Sequence, residues 1–210
     1  MRTRYPALEP FVHDEPGLRA DPSFPNLLPA ASKGAWTVAD LTPTIGAVVT
    51  GVQLSKLTPA GKDELALLVA QKKVVAFRGQ DFKDLPIKDA VEYGKHFGRL
   101  HIHPTSGHPE GYPEIHLVHR SEGDATALKA FLKTRTNTIT WHSDVTYEQQ
   151  PPGTTFLYLL DGPATGGDTL FANTAEAYRR LSPEFRKRLH GLKAIHSGEP
   201  TKSRSNRYLH

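Results

Sequence analysis

Three consecutive residues past the middle of the chain, His142-Ser143-Asp144, carry the sharpest chemical signal. They lie in a stretch of strand character, Thr138 to Tyr147, and residues two apart on a strand project from one face. His142 and Asp144 are therefore expected side by side, with Ser143 on the other face. An imidazole beside a carboxylate makes two corners of a 2-His-1-carboxylate triad, which holds Fe(II) and leaves positions open for cosubstrate and O2. Bare His-x-Asp spacing also fits a surface ion pair or a hydrogen-bonded histidine, so its surroundings must decide. The sequence has 0 Cys, so any metal would be held by nitrogen and oxygen.

The 11 histidines are grouped: His96, His101, His103, His108, His116 and His119 fall in one stretch. His101 and His103 also have strand spacing, but Pro104 follows and the sequence suggests no acidic partner for them. Trp141 precedes the His-x-Asp pair and, on alternation, should point away and pack.

Several elements must position these side chains. Residues 1–40 hold prolines at 6, 10, 16, 22, 25 and 29 and read as an extended or disordered arm, since each proline fixes φ and removes a donor. The domain is expected to open near Leu41 and run to His196, leaving 197–210 as a polar tail. Thr58-Pro59 is a helix start, with Leu65, Leu68 and Val69 on its apolar face to about Lys72. Val74 to Phe77 reads as a buried strand, and Pro86 opens a second helix with Ile87, Val91 and Phe97 inward. Ile115 to Val118, Thr138 to Tyr147, Thr155 to Leu160, Thr169 to Ala172 and Leu192 to His196 read as strands separated by Pro-Gly turns. Ser182-Pro183 starts another helix, with Gly191 at its end. Helices first and then short strands predict an α+β fold built on a β-sandwich or jelly roll.

The formal charge is +4, and the basic residues are scattered without a recognition motif, which argues against nucleic-acid binding. No apolar run approaches the ~20 residues that cross a bilayer. Met1 to Pro10 does not read as a secretory leader and 0 Cys give no disulfide framework, so a cytoplasmic home is expected.

The blocks around the His-x-Asp pair are more specific than the pair itself. They are Trp141-His142-Ser143-Asp144-Val145-Thr146-Tyr147, Pro151-Pro152-Gly153, Gly166-Gly167-Asp168-Thr169-Leu170-Phe171, Ala177-Tyr178 and Leu181-Ser182-Pro183-Glu184-Phe185. Upstream come Val75-Ala76-Phe77-Arg78-Gly79-Gln80 and Phe97-Gly98-Arg99-Leu100-His101-Ile102-His103-Pro104. In order and spacing they resemble the TauD/TfdA family of Fe(II)- and 2-oxoglutarate-dependent dioxygenases, and are most similar to its fungal-type sulfonate and alkylsulfate branch. The resemblance implies a double-stranded β-helix with flanking helices, incomplete in this chain. It implies His142 and Asp144 as iron ligands and Thr169 as a hydrogen-bond partner of a 2-oxoglutarate carboxylate. It implies His103 as a contact to a small anionic substrate, and Thr138 or Asn137 near the place of a substrate-side asparagine. Ser106 stands where the taurine enzyme has a tyrosine, which puts taurine itself in doubt and leaves other sulfonates or sulfate esters open.

The family also uses a downstream histidine and a following arginine that pairs with 2-oxoglutarate. The resemblance fades at Ser197, and His190, His196 and His210 do not match that histidine. The expectation is a truncated chain with weakened iron binding and little or no turnover. A non-catalytic binding protein on the same scaffold is the competing expectation, and a zinc hydrolase using His142 and Asp144 a more distant one.

Overall fold

Thr58 and Pro59 begin the longest helix for the reasons their types suggest. In the computed structural model, which describes residues 9–104, 106–118 and 141–197, helix α1 spans Pro59–Lys72. Thr58 Oγ1 accepts from the Gly61 N–H at 3.1 Å, satisfying one of the first-turn donors that have no intrahelical partner. The helix joins two strands of a small mixed sheet. Strands β1 (Thr37–Asp40) and β2 (Ala47–Thr50) are antiparallel, with Thr37 opposite Thr50 and Asp40 opposite Ala47. Strand β3 (Val75–Phe77) lies parallel to β2, so β2, α1 and β3 form a β-α-β crossover. Gly51 ends β2 at φ +78°, and a Cβ there would sit 1.8 Å from the Ala35 carbonyl oxygen. Only glycine fits that approach.

The core lies beneath this sheet. Leu27, Val49, Val52, Leu54, Leu65, Leu68, Phe82 and Tyr93 pack as one buried cluster. Tyr93 belongs to helix α2 (Ile87–Lys95), where Pro86 is the residue before the first turn. Its ring meets Phe82 edge-on at 4.9 Å, and burial pushes its hydroxyl above the ordinary tyrosine range. The proline-rich stretch is not a detached arm from Phe11 onward. Leu27 is 1% exposed, Pro16 is buried in a 3-10 turn, and the Trp36 indole N–H donates to the Pro29 carbonyl at 3.1 Å.

Buried Glu64 ties that stretch to α1. Its carboxylate accepts from the Asn26 N–H at 2.9 Å, the Asn26 side-chain amide at 2.6 Å and the Leu27 N–H at 2.6 Å. Next to it in sequence, Asp63 receives two bonds from Arg19, at 2.9 and 3.2 Å, and one from His96 at 2.8 Å. Burial opposes ionisation of Asp63, but the Arg19 and His96 bonds outweigh it and hold its pKa below the usual aspartate value. The unfolded chain therefore binds this proton more readily, and the stabilisation is present above the ordinary value of about 3.9. It is lost as pH falls through the lower folded value. Urea midpoints measured from pH 6 down to pH 2 are expected to fall more steeply for the natural chain than for Asp63→Asn. Parallel curves would disprove this.

Downstream, helix α3 spans Thr174–Arg179 and helix α4 spans Pro183–Leu189. Asn173 and Ser182 cap their first turns through side-chain oxygens. Gly191 follows α4 at φ +82°, the left-handed position at which helices often end.

The expected later strands are not strands among the described residues. Segments 155–160, 169–172 and 192–196 are irregular, residues 141–147 are loop and turn, and 115–118 contributes one isolated bridge, Gly107 to Leu117. A strand exists only through ladder partners, and apolar alternation by itself supplies none. Two aromatic rings of the segment still make contacts. Phe156 meets Phe97 at 4.8 Å and Tyr158 meets Phe82 at 6.2 Å, while Leu157 and Leu159 are 72% and 73% exposed. Among the described residues no helix is long and apolar enough to cross a membrane.

Packing divides the chain into two units. Residues 11–100 and 154–191 form the unit that contains every element above; the other comprises the described parts of 1–10, 101–153 and 192–210.

Candidate metal and anion site

His142 and Asp144 lie in the second unit. Their side chains meet, with Nε2 and Oδ1 3.2 Å apart, and both are about two-thirds exposed, at 64% and 65%. The expected adjacency is present, but strand alternation is not its cause. Residues 144–147 form a turn in which Val145 adopts φ +46°, and the turn brings the two side chains together. A positive φ is unfavourable for a β-branched residue. Val145 is nevertheless buried, and its carbonyl accepts from the Glu148 N–H at 2.9 Å. Trp141, expected to pack, is 60% exposed.

Two donors bound to one octahedral ion at about 2.1 Å and at right angles lie about 3.0 Å apart. The 3.2 Å separation suits neighbouring corners of such an ion. No group of three potential His, Asp or Glu donors converges among the described residues.

Glu148 is the residue the sequence did not announce. Its side chain is 3% exposed, and that of His101 is 16% exposed. Both carboxylate oxygens lie within hydrogen-bond reach of His101 Nε2, at 3.1 and 3.0 Å. A carboxylate only accepts, so the proton sits on Nε2 of His101. No local pattern marks it, because its partner lies 47 residues away in sequence.

His103 lies two residues on. Ser106 Oγ is 2.8 Å from His103 Nδ1 and 2.8 Å from His116 Nε2, and the two rings are 4.7 Å apart. One hydroxyl proton reaches only one nitrogen, so Ser106 donates to one ring and accepts from the other. Burial, reinforced by His116, lowers the His103 pKa, while Asp144 and Glu148 act in the opposite sense. At neutral pH His103 is thus a neutral ring that can offer an N–H to an anion. Thr169 belongs to the other unit, exposed in an irregular segment after Gly166 and Gly167, both at positive φ. Asn137 and Thr138 lie outside the described residues.

The model of the taurine catabolism dioxygenase TauD, TfdA family matches residues 37–208. The chain belongs to that family of 2-oxoglutarate-dependent dioxygenases. Among curated relatives, an alpha-ketoglutarate-dependent sulfonate dioxygenase of Saccharomyces cerevisiae is 46% identical over 97% of this chain and 49% of its own length. The alpha-ketoglutarate-dependent dioxygenase cnsM of Penicillium expansum is 47% identical over 90% of this chain and 51% of its own length. An alpha-ketoglutarate-dependent sulfate ester dioxygenase of Pseudomonas putida is 33% identical over 74% of this chain and 47% of its own length. The chain spans about half the length of these relatives.

Proposed function

We propose that this chain supplies two iron ligands and part of the substrate pocket of a dioxygenase acting on a small sulfonate or sulfate ester. The observation that carries this is the 3.2 Å approach of His142 and Asp144 within a chain of this family. Ferrous iron held there would supply oxygen activation in the overall reaction of substrate C–H, 2-oxoglutarate and O2 to C–OH, succinate and CO2. His142 offers a ring nitrogen and Asp144 a carboxylate oxygen from one side. His103 donates an N–H to the substrate anion, oriented by Ser106, with Asn137 and Thr138 as further substrate-side residues. Thr169 hydrogen-bonds a 2-oxoglutarate carboxylate, a task suited to a hydroxyl because it donates without adding charge. Hydroxylation of the carbon bearing the sulfur group lets the product collapse to an aldehyde and sulfite, or sulfate from an ester. The relatives' named substrates, a sulfonate and a sulfate ester, favour such an anion. The family fold is a jelly roll, and segments 155–160 and 169–172 are its candidate strands.

The lack of a third convergent donor among the described residues favours a second reading, in which the 210-residue chain binds anions without turnover. An anaerobic titration with Fe(II) and 2-oxoglutarate, followed by O2 and a panel of alkylsulfonates and alkylsulfates, separates the two. The visible charge-transfer band of an iron–2-oxoglutarate complex, lost in His142→Ala, supports the dioxygenase reading, and succinate release would add turnover. Anion binding that is indifferent to metal and to His142→Ala would support the second reading and sink the first.

A further inference from the structure

We propose that Glu148 is a positioning residue, whose buried carboxylate grips His101 and thereby holds the Asp144 turn against the segment that carries His103. The proposal rests on Asp144 being a ligand.

Asp144 opens a turn that its own backbone disfavours, since Val145 sits at φ +46°. Such a conformation persists only when its surroundings over-determine it. Two restraints are present here. One is the burial of Val145. The other is Glu148, which closes the turn through its N–H to the Val145 carbonyl and anchors it through its side chain to His101, 47 residues away in sequence. The anchor is nearly dry on both sides, where charge-assisted hydrogen bonds are strong and an unpaired partner is costly. His101 stands two residues before His103, so one carboxylate fixes both the metal-side turn and the anion-side segment. Neither Glu148 nor His101 need touch metal or substrate for this to act.

The test is a Co(II) titration of the natural chain and of Glu148→Gln, Glu148→Ala, Asp144→Ala and His142→Ala, with 15N spectra of the histidine rings. The Kd is taken only from variants whose circular dichroism shows them folded. Groups that orient ligands are typically worth 10- to 100-fold in metal affinity. Glu148→Ala is therefore expected to weaken Co(II) binding by about tenfold or more and to erase the Nε2–H signature of His101. Glu148→Gln keeps one acceptor oxygen and should recover most of that affinity, to within about threefold of the natural chain. A residue that merely stabilised the fold would lower the urea midpoint of both variants without moving the Kd of folded protein, which would overturn the proposal. If Asp144→Ala weakens binding and Glu148→Ala does not, positioning fails and the ligand assignment stands. If Asp144→Ala and His142→Ala both bind Co(II) normally, the ligand assignment fails and takes the proposal with it.

Discussion

Asp144→Ala is expected to reduce the affinity for Co(II) or Fe(II) by about a hundredfold or more while leaving the urea midpoint nearly unchanged. The first half follows from donor count. Removing a group that only orients a ligand costs 10- to 100-fold, and removing one of two donors 3.2 Å apart should cost at least as much. The second half follows from exposure. Both side chains are about two-thirds exposed, and an exposed ion pair is worth about 0–1 kcal/mol. A surface pair with no metal role predicts the reverse in one respect: no change in affinity. Asp144→Glu keeps the carboxylate but displaces it by a methylene, so intermediate affinity is expected. Titration by cobalt absorption, run beside urea denaturation, reads both quantities. An unchanged affinity in Asp144→Ala would leave only the surface pair.

Glu64→Ala is expected to act on stability instead, by about 3–5 kcal/mol. The carboxylate is 1% exposed and is the acceptor for three donors on Asn26 and Leu27. Alanine leaves those N–H groups facing a void that water enters poorly, and each unsatisfied donor costs about 1–3 kcal/mol. Leu27 is part of the core cluster, so loosening its backbone also loosens its side chain. Glu64→Gln retains one acceptor oxygen but turns an NH2 toward the same donors, and a smaller loss of about 2 kcal/mol is expected. Urea unfolding by circular dichroism measures both. A loss below about 1 kcal/mol for the alanine variant would mean that the segment is held by other contacts.

What could be read from the sequence was mostly local. Thr58-Pro59 and Ser182-Pro183 start helices because capping and a fixed φ act within one turn, and Gly191 ends one for a similarly short-range reason. The family blocks were legible because they are strings, and the family match covers residues 37–208, past Ser197 where the resemblance was expected to fade. Partnerships across long stretches of chain were not legible. Glu64 looks like any helix-surface glutamate until Asn26 and Leu27 meet it, and Glu148 looks like part of a polar run until His101 does. The His142–Asp144 adjacency was expected for the wrong local reason, because a turn with one left-handed residue can do what strand alternation does. Segments 155–160 and 169–172 have strand letters without ladder partners among the described residues, and no local pattern reveals that.

The outward leucines at 157 and 159 have a practical consequence. Phe156 and Tyr158 keep ring contacts with Phe97 and Phe82 but stay partly exposed, so the segment presents an oily stripe beside backbone groups that have no ladder among the described residues. In concentrated solution two such stripes can zip together. Chaperone capture during synthesis and slow clouding of purified stocks are the hazards this chemistry brings, and a charged residue at 157 or 159 is the simplest way to blunt them.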